Sequence, residues 1–180
     1  MEYKKFTKSR IFQLLLVLLP FLVIGLFFSK AVFVFFMMIA TVGVAFVILF
    51  FPPLKHIGIE FVTFTTILVG FVWGPGSGMT AGFILLILHL IIGRYALATY
   101  LVWTITEYIG IGFLSGTLQS LGFVNVGMYL SVGIVVVNSI ISFIFTNQYF
   151  YKYLPYAIGN AIFNVGLFLY IGNIVLKFAS

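Results

Sequence analysis

Residues 57–93 read IGIEFVTFTTILVGFVWGPGSGMTAGFILLILHLIIG, two apolar runs, Ile57–Trp73 and Met79–Gly93, joined by Gly74-Pro75-Gly76-Ser77-Gly78. The runs lack the alternation of an outer-membrane strand, and an open sheet leaves its edge N–H and C=O groups without partners in lipid. Helices are what remains. The Gly/Pro turn predicts a tight pair of short helices whose tip exposes backbone N–H groups. Gly70, Gly74, Gly78 and Gly82 recur every fourth residue, a spacing that lets helix backbones approach closely, and Gly112 and Gly116 repeat it further along.

Five more runs of the same kind flank this pair: Ile11–Phe28, Ala31–Phe51, Leu97–Leu118, Phe123–Phe145 and Tyr153–Leu176. Each approaches the ~20 apolar residues needed to cross a hydrocarbon core about 30 Å thick, and each break between runs holds a charge, Gly, Pro or a polar cluster. Of 180 residues, 63% are hydrophobic and 7% charged, and the mean hydropathy is +1.28. So few charges cannot cover a soluble fold, which makes the bilayer the solvent. The expectation is an all-α, polytopic transmembrane bundle of six to seven helices with a short Gly/Pro-linked hairpin at 57–93. It forms one integral membrane domain over 1–180, with no soluble domain and residues 1–10 as a basic cytoplasmic N-terminus. A cleaved signal peptide is the alternative for the first run; its length, Pro20 and the absence of a small-x-small cleavage site favour a retained helix.

The net charge of +6 reports topology. Nine basic residues scattered between apolar runs form no patch for a phosphate backbone, so nucleic acid is excluded as a partner. With seven crossings, Lys4, Lys5, Lys8, Arg10, Lys55, Arg94 and Lys152 fall on one side and only Lys30 and Lys177 on the other. The positive-inside rule then places the N-terminus in the cytoplasm of a cell-membrane protein. A re-entrant 57–93 hairpin would leave five spans with the same orientation.

Ionisable groups at membrane depth each cost on the order of 2.5–3.5 kcal/mol and mark candidate sites. Glu107 falls in the middle of its run, and helical spacing puts Tyr100 and Trp103 on its face, an arrangement suited to a cation or polar ring. A neighbouring helix or Arg94 could equally satisfy it. Glu60 opens the third run, where pairing with Lys55 or His56 at the headgroups is expected. His89 lies near the end of the fourth run, where a lone His on an apolar helix more often donates to a backbone carbonyl than binds a metal. Two i, i+4 pairs, Asn138 with Ser142 and Asn160 with Asn164, give the last helices polar faces, and Asn160 and Asn164 are candidates to line a solute cavity.

No catalytic pattern emerges. Gly74-Pro75-Gly76-Ser77-Gly78 is neither G-x-S-x-G nor G-x-S-G, no His follows His89, and the chain has neither Asp nor Cys. No enzymatic activity, cofactor or metal is expected.

The stretch Leu68–Phe83, with its helix, Gly-Pro turn and second helix, resembles the hairpin of substrate-binding S components of energy-coupling factor vitamin transporters. The chain is also similar in size and hydropathy to the rod-shape protein MreD. The first resemblance implies substrate capture, with His89 standing near where the family often carries an Asp, final-helix amides such as Asn160 and Asn164 in the pocket, and partner membrane subunits coupled to an ATPase. S components usually have six helices with both ends cytoplasmic, whereas the charge distribution favours seven here, and the first run lacks their Ala-rich stripe. The expectation is a small-solute binding or transport component that uses Glu107, Trp103, Tyr100, Asn160, Asn164 and His89. The alternative is a non-transporting scaffold, MreD-like, whose glycine faces bind other membrane helices.

Overall fold

The computed structural model describes residues 30–94, 101–145 and 147–180, and the described residues are helical without strands. The helices are α1 (Lys30–Phe50), the single turn α2 (Pro53–His56), α3 (Val62–Trp73), α4 (Pro75–Ile92), α5 (Leu101–Thr117), a 3₁₀ turn (Gln119–Leu121), α6 (Phe123–Phe145) and α7 (Asn147–Ala179). Six of them are long. Four are long and apolar enough to cross a membrane: α1, α4, α6 and the Leu154–Ala179 part of α7. The expected first crossing, Ile11–Phe28, lies outside the described residues, as do the basic residues before it.

Large apolar side chains cover the exterior, among them Phe35 at 61% exposure, Phe145 at 72% and Tyr170 at 83%. A surface of that kind is untenable in water and ordinary in lipid. The centre is α3. Nine successive residues from Val62 to Gly70 are buried, as befits a helix that is apolar all round and enclosed by others. It touches each of the five other long helices. Phe64 anchors an aromatic core with Phe168 (centroids 4.7 Å apart) and Phe123 (6.0 Å). Two hydroxyl pairs tie α3 sideways: Thr41 Oγ1 to Thr65 Oγ1 at 2.6 Å and Thr63 Oγ1 to Tyr108 OH at 3.1 Å.

The hairpin turn is tighter than the expected five-residue link. Gly74, at φ 88° and ψ 171°, ends α3 and begins α4 in one step, and Pro75 takes the first position of α4. Only glycine adopts that backbone freely, and proline's fixed φ suits a helix start. Gly76–Gly78 therefore belong to a helical turn, where Gly78 N–H donates to the Gly74 carbonyl at 3.1 Å. A Cβ on Gly74 would meet nothing within 4 Å. The other glycines of the series do pack: a Cβ on Gly78 would fall on the Gly112 carbonyl, one on Gly82 on the Tyr108 carbonyl, one on Gly70 on Ser115 Oγ, and one on Gly116 on Pro75 N. α3, α4 and α5 thus meet backbone to backbone.

The third run departs from expectation. Its first five residues, 57–61, are not helical, so α3 has 12 residues and a length of about 18 Å. The cause is contact with α7. Gly58 has φ 71°, and its missing side chain leaves room for the Tyr156 carbonyl and the Asn160 backbone, while Gly159 makes room for the Ile57 carbonyl. Irregular backbone at membrane depth is tolerated where protein buries it. α6 has the expected bounds. α7 starts six residues before its apolar run and carries Pro155 within it.

Candidate functional site

Two polar clusters sit inside the bundle, each built around one carboxylate. The first belongs to Glu60, which the irregular 57–61 segment turns inward and leaves 1% exposed. Its Oε2 accepts the Thr63 backbone N–H at 3.0 Å, capping the first turn of α3. Its Oε1 accepts Nδ2 of Asn160 at 3.0 Å and of Asn164 at 3.1 Å. Asn160 Nδ2 also donates to the Gly58 carbonyl at 3.1 Å, fixing the segment that carries the carboxylate, and Asn164 Nδ2 donates to the Asn160 carbonyl at 3.1 Å. Asn164 is fully buried, yet its Oδ1 has no hydrogen-bond partner.

The second cluster joins α5 to α6. Trp103 Nε1 donates to Asn138 Oδ1 at 3.2 Å, and Asn138 Nδ2 donates to Glu107 Oε2 at 2.7 Å. The amide is thereby oriented by its indole neighbour and presents its N–H₂ to the carboxylate. Glu107 Oε1 is buried without a hydrogen-bond partner. Trp103 stacks on Phe145, centroids 6.3 Å apart, so an aromatic wall flanks the half-buried acid.

These contacts divide the expected site. Glu107 and Trp103 share one cluster, while Asn160 and Asn164 belong to the other, where they point their amide N–H groups at Glu60. Tyr100 lies outside the described residues. His89 is buried at 5% in the last turn of α4 and bonds to neither carboxylate. The expected headgroup position of Glu60 is corrected: residues 57–61 fold against α7 and carry the carboxylate inward. Glu107 takes its donor from a neighbouring helix, in Asn138. Sequence reasoning missed the roles of Glu60 and Asn138, although a signal existed: two carboxylates within the runs, and two i, i+4 polar pairs on later helices able to supply donors.

Compared with known proteins, the chain matches no family model, no curated protein and no solved structure.

Proposed function

We propose that the protein is a membrane component that binds a small solute bearing a positive charge or N–H groups, and passes it to partner subunits. The observation that carries this reading is the Glu107 cluster: one carboxylate oxygen is fixed by Asn138, while the other is buried and has no hydrogen-bond partner. Buried acceptors of this kind cost free energy unless something satisfies them, and an indole face beside a carboxylate suits an ammonium or a polar ring. The reading includes a cell-membrane location with a cytoplasmic N-terminus, supported by the distribution of basic residues. Native mass spectrometry of the purified protein tests it. Wild type is expected to carry a small-molecule adduct that Glu107→Gln loses while melting at the same temperature, since Gln keeps an acceptor for Asn138. Equal adduct occupancy in both proteins, or none in either together with unchanged uptake by cells, counts against solute binding.

One observation favours the scaffold reading instead. An open groove of about 330 Å³ between α1, α3 and α4 is walled by Phe35, Trp73, Gly76, Ser77, Thr80 and Ile84. Gly76 and Thr80 form an outward small-residue pair, and a Cβ on Gly76 would meet nothing within 4 Å. A partner helix could approach there. Gly76→Leu is expected to change the protein's own stability by no more than about 0.5 kcal/mol. If this face holds a partner, the same variant loses it on co-purification; retention of every partner would rule the face out.

A further inference from the structure

Glu60 raises a separate question, one of charge balance. Among the described residues its three hydrogen-bond partners are N–H donors, the kind of partner an ionised carboxylate takes, and all three are neutral: one peptide and two side-chain amides. The α3 N-terminus supplies about half a unit of positive charge. The remainder of a 1% exposed anion has no counter-charge among these partners, and charges buried in a bilayer are paired or neutralised. Beside it stands Asn164 Oδ1, buried and without a hydrogen-bond partner. The two heteroatoms of one amide are about 2.3 Å apart, and Asn164 Nδ2 lies 3.1 Å from Glu60 Oε1. The orphan oxygen therefore lies within about 5.4 Å of Glu60 Oε1, and one hard cation touches both oxygens at the ~2.4 Å typical of such ligands once they stand within about 4.8 Å of each other. Unwound backbone, through its carbonyls, is also where cation sites are built in membrane bundles, and 57–61 is non-helical backbone between α2 and α3.

We propose that Glu60 and Asn164 form a buried site for one monovalent inorganic cation, with Asn160 holding Glu60 in position. One carboxylate balances one positive charge, which sets the valence. The site is distinct from the Glu107 cluster and stands or falls independently of the solute reading.

The test uses the full chain purified in detergent. Its thermal melts are recorded in NaCl, KCl, LiCl or N-methyl-D-glucamine chloride at one ionic strength, and saturable binding of radioactive sodium is measured in parallel. Wild type is expected to melt higher in at least one alkali chloride than in the organic salt and to bind a single alkali cation saturably, by competition where sodium is not preferred. Glu60→Gln is expected to lose both effects, Asn164→Ala to weaken binding by roughly ten-fold or more, and Glu107→Gln to retain both. Should Glu60→Gln fail to fold, Asn164→Ala and the wild-type titration decide. The proposal is overturned if wild type melts identically in all four salts and binds no cation. A wild-type response that survives in Glu60→Gln, or one that Glu107→Gln abolishes, also overturns it. A stability that follows pH but no salt would assign the site to a proton and equally reject the metal cation.

Discussion

Gly78→Leu is expected to yield little or no folded protein, with any folded fraction destabilised by about 3 kcal/mol or more. The first added carbon already falls on the Gly112 carbonyl and comes within 2.6 Å of Gly70 Cα. Both obstacles are backbone, so no rotamer change relieves them and α4 must separate from α3 and α5 together. In lipid that separation is severe, because apolar tails solvate a loosened helix as well as its neighbours do, and close packing is what holds such helices together. Gly43→Leu on α1 is the control: a Cβ there meets nothing within 4 Å, and the melting temperature should stay at the wild-type value. A fluorescence-detected size-exclusion profile before and after heating distinguishes the two. If Gly78→Leu melts like wild type, the three-helix contact is not what it is argued to be.

Gly58→Ala should cost nearly as much, about 3 kcal/mol, from two sources. At φ 71° an alanine pays about 1 kcal/mol for the left-handed backbone, and its methyl collides with the Tyr156 carbonyl and the Asn160 backbone. The 57–61 segment then lifts from α7, and Asn160 loses the Gly58 carbonyl. Glu60 is left with donors it no longer reaches. The measurable signs are a lower melting temperature and faster amide exchange in α3's first turn, compared with Gly133→Ala, where the added methyl has open space. Unchanged exchange at 61–65 would mean that the segment does not depend on Gly58.

Which parts of this architecture the sequence could reveal follows from how local each cause is. Phe123–Phe145 was readable to the residue because a largely apolar run without charge or proline between Gly122 and Thr146 defines a helix by itself. Gly78 with Gly82 on α4 and Gly112 with Gly116 on α5 were readable because a spacing of four marks one helix face. The shortening of α3 was not readable. Ile57–Trp73 looks continuous, and only contact with α7, about 100 residues away in the chain, explains why its first five residues leave the helix. The carboxylates were visible as rare charges in apolar runs, but their partners were not. Glu60 meets Asn160 across 100 positions and Glu107 meets Asn138 across 31, and no periodicity encodes which amide pair faces which acid. Placing Asn160 and Asn164 in one pocket with Glu107 followed from treating polar groups as a single interior, whereas the bundle separates them into two.

The distance between Glu60 and its amides also sets a clock. A ribosome makes roughly 5–20 residues per second, so Asn160, 100 residues downstream, emerges about 5 to 20 s after Glu60. Until then the carboxylate lacks two of its three donors and α3, at about 18 Å, is too short to cross the bilayer by itself. The growing chain must therefore shelter residues 57–73 against α4 or at the membrane surface while α5 and α6 are made. The Glu60 cluster closes only when α7 arrives, which makes its formation a late step of biogenesis and a chain stalled before Asn160 a natural target for membrane quality control.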